Sequence, residues 1–526
     1  MSTLNLQKTV THSPDVKTPH FPPLSGKKPT AAGSGIKSWI KNRIKQEQID
    51  KYLEKGKDFI DDGRIEQQIA DAVNPDPLKV RDIIAKSRAI EDLTPEETAT
   101  LLNVTDPELW QEMETAGGEI KRHVYDNRIV TFAPLYLSTT CVNDCVYCGF
   151  RTSNHEMTRR VLTKEEIERE IAVLAGKIGH KRLIVVYGEH PKSDIDFMVE
   201  SLKTIYSVQF PTKRGYGSIR RVNVNAPPLS IEALERLHEV GIGTYQVFQE
   251  TYHHSTYSKV HPSHTLKGNY QWRLYCMHRA FEAGIDDVGI GALFGLYDWK
   301  FEIMGLVYHS LELEKCFGIG PHTISFPRIE HAGGAPYTED NTHHISDEAF
   351  RRVVTVLRLA VPHTGLILTA RETPEIRRSL IPIGVTQTDA STKIGIGAYS
   401  DSQDEQKDQR QQFLLGDIRS LDEVVCELAE MGHITSFCTA GYRCGRTGKK
   451  IMELLRCGKE GEFCKLNAVI TFREWLDDFA SEETKEIGEK LIAQELDEIQ
   501  EKKPEIYPYV MDFYTRTQQG ERDLYF

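Results

Sequence analysis

The stretch Arg128-Ile-Val-Thr-Phe-Ala-Pro-Leu-Tyr-Leu-Ser-Thr-Thr-Cys141-Val-Asn-Asp-Cys145-Val-Tyr-Cys148 joins an apolar run to three closely spaced cysteines. Beyond it, short β-branched runs alternate with amphipathic segments, which predicts parallel strands joined by crossover helices. The expected strands are Arg128–Leu137, Lys181–Tyr187, Arg220–Asn225, Gly243–Glu250, Asp286–Phe294, His322–Arg328, Gly365–Arg371 and Gly384–Asp389. Eight such units predict a (β/α)8 TIM-type barrel of the α/β class, and the alternative is an open, doubly wound sheet.

The segment after the first strand shows how the helices are specified. Thr163 is placed to N-cap a helix, and Glu166 completes a capping box three residues later. Leu162 and Ile167 form the matching hydrophobic staple. Apolar residues then recur at helical spacing, at Ile167, Ile171, Leu174 and Ile178. The pattern predicts one buried helix face packed on the barrel.

Four regions are expected along the chain. Residues 1–48, which are rich in Pro, Gly and Ser, predict a disordered N-terminal tail. Residues 49–125 predict a helical extension, with helix starts at Asp76-Pro77 and Thr94-Pro95. Residues 126–415 are expected to form the barrel, and residues 416–526 a C-terminal helical region that contains cysteines.

Composition narrows the class of function. There are 65 Lys and Arg residues against 77 Asp and Glu residues, so the net charge is −12, and no basic stripe suggests a nucleic-acid partner. No apolar run approaches the roughly 18 residues of a membrane span, and the N-terminus lacks the apolar core of a signal peptide. The ten cysteines concentrate at 141–148 and 438–464, which favours metal binding over disulfides in a cytoplasmic protein.

The first cysteine group is the sharpest signal. Cys141, Cys145 and Cys148 have C-x3-C-x2-C spacing directly after the first strand. Three thiolates so close together can bind three irons of a cubane [4Fe–4S] cluster and leave the fourth iron open to another ligand. Zinc is the alternative, but zinc normally takes a fourth nearby His or Cys, and none follows closely. The spacing therefore predicts a cluster with one reactive iron.

These residues resemble the radical S-adenosylmethionine superfamily. The resemblance implies that the open iron binds S-adenosylmethionine and that one electron then yields a 5′-deoxyadenosyl radical. It also implies roles for Tyr147 beside the adenine and for Gly188 and Glu189 at the methionine amino group. Gly289, Gly291 and Leu293 resemble a stretch that lines the adenine. Their common position at the carboxyl ends of strands is where a barrel active site forms.

Further segments resemble the aromatic amino acid lyases within that superfamily. They are Tyr245–His253, Ile290–Lys300, Ser325–Arg328 and the terminal Gly520–Phe526. The resemblance is greatest to the tyrosine lyases of [FeFe]-hydrogenase maturation. It implies cleavage of tyrosine at Cα–Cβ to p-cresol and dehydroglycine (2-iminoacetate), and onward conversion to CO and cyanide. It also implies a ferredoxin or flavodoxin as electron donor, a hydrogenase-maturation scaffold as partner, and an anaerobic organism.

The resemblance also implies that two residues bind the substrate. Tyr136 matches a family tyrosine near the substrate amino group, and Arg371 matches the arginine that binds the substrate carboxylate with two parallel hydrogen bonds. A structural salt bridge from Arg371 to Glu372 or Glu375 is the competing interpretation. Other functions remain open, namely a 2-iminoacetate synthase for the thiamine thiazole, a tryptophan-acting relative, and a non-catalytic iron–sulfur carrier.

The second cysteine group departs from the family pattern. The hydrogenase-maturation lyases carry C-x2-C-x22-C near the C-terminus, and here Cys438 and Cys464 keep the outer spacing while Gly441 occupies the middle position. Cys444 is a candidate substitute ligand. His309 matches a family histidine that binds an additional iron at this site. A second iron–sulfur cluster, a different metal and no metal all remain open, because two thiolates rarely hold a cubane.

Overall fold

The computed structural model describes residues 35–401, 409–458 and 460–526. Six helices precede the sheet within these ranges: α1 Ile36–Arg43, α2 Glu47–Asp50, α3 Asp62–Asp71, α4 Pro77–Arg88, α5 Pro95–Leu102 and α6 Pro107–Tyr125. The first 34 residues of the expected tail lie outside the described residues. The prediction of disorder is wrong for the rest of that tail, because it contains the helix α1. The Trp39 indole N–H of α1 donates to Asp194 Oδ2 at 2.6 Å.

The strands follow the predicted order. In chain order they are β1 Arg128–Ser138, β2 Arg182–Tyr187, β3 Gln209–Pro211, β4 Tyr216–Ser218, β5 Arg221–Asn225, β6 Tyr245–Gln246, β7 Val288–Gly291, β8 Thr323–Ser325, β9 Gly365–Leu368 and β10 Gln387–Asp389. Strands β3 and β4 form a separate antiparallel hairpin. The other eight pair in parallel, and β10 returns to β1 with Val130 opposite Gln387. That pairing closes the sheet, so the (β/α)8 barrel is confirmed and the open sheet is excluded.

Several strands are shorter than the sequence predicts. The run Gly243–Glu250 yields only β6, because the chain leaves the ladder after Gln246 and rejoins it through an isolated bridge from Glu250 to Ala292. Glu250 has a positive φ of 72°, which turns the chain out of the strand and into the loop at the barrel mouth. β1 is the longest strand and is buried throughout, because its two ends pair with different neighbours.

Helices cover the outside of the barrel. They are α7 Lys164–Val173, α8 Ile195–Ser207, α9 Ile231–Val240, α10 His254–Val260, α11 Tyr270–Leu274, α12 Cys276–Glu282, α13 Trp299–Phe317, α14 Asp347–Ala360 and α15 Pro374–Leu380. The capping box predicted at Thr163 and Glu166 is confirmed in both directions. Among the described residues, we find no helix whose length and apolar character would let it cross a membrane.

The C-terminal region packs on the amino-terminal end of the barrel. It contains α16 Leu421–Glu430, β11 Ile434–Ser436, α17 Ala440–Arg443, α18 Gly448–Arg456, α19 Glu460–Asp478, α20 Glu482–Lys502 and α21 Tyr507–Gln518. β11 pairs in parallel with the start of β1, so this region adds one strand to a part of the chain expected to be helical. A buried ion-pair group also joins α19 to the barrel, since Glu474 Oε1 lies 2.7 Å from Lys181 Nζ and 2.6 Å from Arg220 Nη2.

Candidate active site

A cavity of about 220 Å³ opens at the carboxyl ends of the barrel strands. Most of the residues predicted as site residues line it: Tyr136, Cys141, Cys145, Tyr147, Cys148, Gly188, Glu189, Leu293 and Arg371. Tyr136 lies near the end of β1, and the others come from the loops after β1, β2, β7 and β9, which all end at the same rim of the barrel. The fold therefore gathers residues that are more than 200 positions apart in sequence.

The three cysteines of the first group share this cavity, and two of them receive hydrogen bonds from side-chain amides. Asn143 Nδ2 donates to Cys141 Sγ at 3.7 Å, and Gln412 Nε2 donates to Cys148 Sγ at 3.3 Å. Cys145 is only 5% exposed, and burial raises its pKa to about 12. Burial also raises the pKa of Cys141. A cationic metal is what such buried thiols need to lose their protons, so the donor set fits a metal cluster.

The Gly188–Glu189 segment packs directly on the cysteine loop. A Cβ on Gly188 would lie 2.1 Å from the Thr140 carbonyl oxygen, so only glycine fits there. The backbone N–H of Val142 donates to the Glu189 carbonyl at 2.8 Å, and Asn143 Nδ2 donates to Glu189 Oε2 at 2.6 Å. Oε1 of the same buried carboxylate lies 3.6 Å from Arg43 Nε of α1 and forms an ion pair with it. Glu189 is therefore held beside the cysteine loop by both Asn143 and Arg43.

Tyr147 forms the wall of the cavity beside the cysteines. Its hydroxyl hydrogen-bonds to His261 Nε2 at 2.7 Å, and its ring packs in an apolar cluster with Cys145 and Leu293. Burial raises the pKa of Tyr147 well above its usual value. The ring is therefore neutral and held in place, which suits a surface for stacking a heterocycle.

Tyr136 and Arg371 line the same cavity as the cysteine loop. The Tyr136 hydroxyl donates to Gln412 Oε1 at 3.0 Å. The Arg371 guanidinium carbon lies 3.4 Å from the Phe413 ring centroid, and Nη1 donates to the Arg328 carbonyl at 3.3 Å. No carboxylate lies within 4.0 Å of Arg371 in the described part of the chain. Burial lowers the pKa of the Arg371 guanidinium. The guanidinium is thus free to bind an incoming carboxylate.

The alternative reading of Arg371 as a structural ion pair is wrong. Glu372, its expected partner, is bound by Arg328, whose Nε donates to Glu372 Oε1 at 3.0 Å. Glu375 is exposed at the start of α15. Neither carboxylate is therefore paired with Arg371, and the Arg371 side chain lines the cavity instead.

Comparison with known proteins agrees with this geometry. Residues 135–304 match the Radical SAM superfamily model, and residues 325–434 match the Biotin and Thiamin Synthesis associated domain. A 2-iminoacetate synthase of Salmonella typhimurium is 31% identical over 345 residues, which are 65% of this chain and 85% of that relative. The chain belongs to the radical S-adenosylmethionine superfamily. This membership implies a [4Fe–4S] cluster and S-adenosylmethionine as cofactors, and the cysteine loop fits both.

Comparison with solved structures narrows the position of the chain within this superfamily. A crystal structure of HydG, a maturase of the [FeFe]-hydrogenase, superimposes with a TM-score of 0.84 at 45% identity, over 89% of this chain and 100% of that one. HydG from Carboxydothermus hydrogenoformans gives 0.72 at 35% identity, over 89% and 99% of the two chains. The resemblance seen in the motifs is confirmed, and this radical SAM enzyme is a lyase of the tyrosine-lyase type.

Two glycines predicted near the adenine do not line the radical SAM cavity. Gly289 and Gly291 lie within β7, where an added Cβ would come within 2.8 Å of Gln246 and 2.7 Å of Phe248. Gln246 and Phe248 both line the cavity. The two glycines therefore make room for Gln246 and Phe248, which is a structural role that the sequence pattern does not reveal.

The second cysteine group lies at the opposite, amino-terminal end of the barrel. Cys438 follows β11, and its thiol interacts with that of Cys464 on α19. This hydrogen bond and the nearby Arg182 and Arg128 hold the pKa of Cys438 well below its usual value. The Cys444 thiol instead donates to the carbonyl of Phe526 at 3.4 Å. The structure therefore brings together two of the three cysteines, with Cys444 engaged by the chain terminus.

His309 lies in another environment. Its Nδ1 shares a hydrogen bond of 2.9 Å with the Tyr252 hydroxyl, its ring packs against Phe59, and burial lowers its pKa to about 3. Among the described residues, His322, which immediately precedes β8, is the histidine that lies near Cys438. The placement of His309 at the second site is therefore corrected, and His322 is the histidine near that site.

Several residues of the active site escaped sequence reasoning. Gln412 and Phe413 come from the segment between β10 and α16, and Lys267 and Arg273 come from the region of α11. Glu250 accepts from Lys267 at 2.7 Å and from Arg273 at 3.2 Å, so one carboxylate faces two cationic side chains at the cavity wall. The sequence carries no motif for these positions, because only the closed barrel brings them to the cysteine loop.

Proposed function

We propose that this protein cleaves the Cα–Cβ bond of tyrosine, giving p-cresol and dehydroglycine. The observation that carries the proposal is the Arg371 guanidinium, which has no carboxylate partner in the described residues and lines the same cavity as the three cysteines. When bound, the cluster and S-adenosylmethionine supply a 5′-deoxyadenosyl radical as hydrogen-atom acceptor. The residues described above then have to hold a zwitterionic amino acid within reach of it.

The polar end of the substrate is positioned by Arg371. A planar guanidinium donates two parallel hydrogen bonds to a carboxylate, and stacking on Phe413 fixes the plane of the fork. Tyr136 and its partner Gln412 lie on the cysteine side, where the substrate amino group would sit. Such positioning decides which hydrogen the radical meets, and it is the main contribution that a protein makes to this chemistry.

The other end of the cavity suits an aromatic ring. Phe132, Ile184 and Ile367 form an apolar cluster inside the barrel, and all three line the cavity. Gln246 also lines it, and Gln246 Nε2 is buried without a hydrogen-bond partner in the described residues. An apolar wall with one unsatisfied donor fits a phenol, because an unpaired buried N–H is costly until a ligand oxygen accepts from it.

A second candidate function is conversion of dehydroglycine to CO and cyanide for an [FeFe]-hydrogenase cofactor. The match to HydG favours it, because that match covers 89% of this chain, whereas the 2-iminoacetate synthase covers 65%. Near its C-terminus the chain also brings Cys438 next to Cys464. Gly441 argues for the simpler lyase, since only two thiols converge there.

The test is product analysis under anaerobic conditions with tyrosine, S-adenosylmethionine and a reductant, either dithionite or a reduced ferredoxin or flavodoxin. We expect p-cresol, 5′-deoxyadenosine and glyoxylate, the hydrolysis product of dehydroglycine, and none of them from a Cys145→Ala variant. Indolic products from tryptophan in place of p-cresol would identify a tryptophan-acting enzyme. Absence of 5′-deoxyadenosine from the reconstituted wild type would identify a non-catalytic carrier. Gas analysis for CO addresses the second candidate.

A further inference from the structure

Three metal-binding side chains meet on the outer face of the barrel, away from the active site. Glu312 and Cys316 lie one turn apart on α13, and His278 lies on the adjacent α12. A ligand atom from each of them lies within 4.8 Å of the other two. None of the three lines the catalytic cavity. An i, i+4 pair on one helix and a third ligand from its neighbour can converge on one ion.

His278 is a buried side chain whose two ring nitrogens have no hydrogen bonds to the described residues. The residue is 1% exposed, yet neither Nδ1 nor Nε2 has a hydrogen-bond partner among the described residues. The ring is enclosed by aromatic side chains, with centroids 5.0 Å from Tyr52, 4.9 Å from Tyr275 and 5.4 Å from Phe317. A buried imidazole without any partner costs free energy, and native proteins normally satisfy such groups with a protein atom, a water or an ion.

We propose that His278, Glu312 and Cys316 bind one divalent transition-metal ion of the zinc class. The donor set of one nitrogen, one oxygen and one sulfur suits Zn²⁺, whose bonds of about 2.0 to 2.3 Å require the three atoms to close by a small movement. A fourth position remains for water, because Cys316 is exposed on the protein surface. Hard cations such as Mg²⁺ are disfavoured by the thiol and the imidazole.

The contacts within this site allow a metal ion to replace the proton of the Cys316 thiol. The Cys316 thiol donates to Glu312 Oε1 at 3.3 Å, and Lys315 Nζ lies 3.2 Å from Glu312 Oε2. On binding, the ion takes the place of the thiol proton, which is released to solvent while sulfur and Oε1 become ligands. Lys315 keeps its contact with the other carboxylate oxygen. The ion would tie α12 to α13, and the site is independent of the proposed tyrosine chemistry.

The experiment uses the full chain with its iron–sulfur cluster reconstituted, so that the cluster cysteines are occupied. The protein is treated with a chelator, titrated with Zn²⁺, desalted and analysed for zinc per chain, and zinc-edge X-ray absorption then counts sulfur neighbours. We expect one Zn²⁺ per chain with one sulfur at about 2.3 Å. In Cys316→Ser the affinity should fall at least tenfold and the sulfur contribution should disappear.

Two further variants separate the site from general thiol binding. Cys457→Ser is the matched control, because Cys457 is also exposed and lies outside the group, and it should bind zinc as the wild type does. Cys316→Asp keeps a ligand atom and should retain more zinc than Cys316→Ser. The inference is overturned if the wild type takes up no zinc at micromolar concentrations, if Cys316→Ser binds as tightly as the wild type, or if the bound zinc has two or more sulfur neighbours.

Discussion

The Tyr136 hydroxyl donates a hydrogen bond to the Gln412 side-chain oxygen across 3.0 Å. The amide nitrogen of the same glutamine donates to Cys148 Sγ at 3.3 Å. One side chain therefore links Tyr136, a proposed substrate ligand, to Cys148, a proposed cluster ligand. It comes from a segment that follows the last barrel strand, so the link depends on closure of the whole barrel.

Removal of this link should change the cluster as well as the turnover. Hydrogen bonds to cysteine sulfur stabilise the more negative, reduced cluster, so Gln412→Leu should lower its reduction potential. The rate of p-cresol formation should fall about tenfold, because the Tyr136 hydroxyl also loses its buried acceptor, at about 1 to 2 kcal/mol. Potentiometric EPR and product assays measure the two effects. Gln409→Leu, at an exposed glutamine of the same segment, should change neither. An unaltered potential in Gln412→Leu would contradict the link.

Arg371→Lys should weaken substrate binding while radical generation persists. Lysine keeps the positive charge but loses the two-pronged donor and the stacking on Phe413. We expect KM for tyrosine to rise at least tenfold, in line with about 1.5 to 3 kcal/mol for a hydrogen bond to a charged group. Steady-state kinetics, together with 5′-deoxyadenosine formed without tyrosine, test this. Arg378→Lys changes an exposed arginine paired with Glu427 and serves as the control. A KM equal to that of the wild type would remove Arg371 from substrate binding.

Gln246→Leu should erase the preference for tyrosine over phenylalanine. Leucine cannot donate to the phenol oxygen, whereas the wild-type amide is buried and lacks another partner in the described residues. The ratio of the two dissociation constants should therefore fall about tenfold, mostly through weaker tyrosine binding. Calorimetry with both amino acids measures the ratio. Gln249→Leu is a suitable control, because Gln249 is buried next to the same strand but does not line the cavity. Equal ratios in Gln246→Leu and the wild type would exclude this contact.

The sequence predicted the barrel well because its signals are local. Parallel strands buried on both faces read as short β-branched runs, and Arg182–Tyr187 is found within one residue of its predicted start. β11 escaped prediction because its three residues, Ile434–Ser436, become a strand only by pairing with the start of β1. The helix of Ile36–Arg43 was missed for a similar reason, since its Trp39 is anchored on a distant carboxylate.

The residues of the candidate site also divide into those with a local sequence signal and those without one. Cys141, Cys145 and Cys148 are contiguous enough to be recognised by spacing, and Arg371 by its matching segment. Gln412 has no such signal, because its role follows from contacts made more than 260 residues away in sequence. His309 was misplaced because a match in chain position does not reveal its packing against Phe59 or its hydrogen bond to Tyr252.

Glu302 should make the stability of the protein depend on pH. Its carboxyl is buried and accepts from the Thr251 hydroxyl and the Tyr252 N–H, and burial raises its pKa from 4.5 to about 8. Between these values the folded state holds a proton that the unfolded state has released. The free energy of unfolding should therefore decrease as pH rises through this window, by up to about 1.4 kcal/mol per pH unit.

Glu302→Gln tests this, because a neutral amide has no proton to lose. The variant should gain stability relative to the wild type as pH rises from 5.5 to 7.5, as measured by chemical denaturation at each pH. Glu235→Gln, at an exposed glutamate of α9, should follow the wild type. A difference between Glu302→Gln and the wild type that stays constant with pH would show that Glu302 is already ionised in the folded protein.

Gly441 lies in the short helix α17, between the two cysteines that converge at the amino-terminal end of the barrel. A Cβ built on it would meet only atoms of Arg446, all at 3.8 Å or more. These are ordinary van der Waals distances, and the residue does not have the positive φ that demands glycine. A cysteine side chain can therefore be accepted at this position without movement of the backbone.

Gly441→Cys should accordingly create a second cluster site. With Cys438 and Cys464 it supplies three thiolates, the number that holds a cubane in the first group, so iron should rise from about four to about eight atoms per chain after reconstitution. Iron and sulfide analysis with EPR measures the change. Gly441→Ser adds a similar volume without a thiolate and should stay at about four irons. Combining Gly441→Cys with Cys464→Ser should cancel the gain, because two thiolates rarely hold a cubane. If wild type and Gly441→Cys both contain about eight irons, Cys444 or another ligand already completes the site. The missing thiolate at position 441 then does not prevent formation of a second cluster.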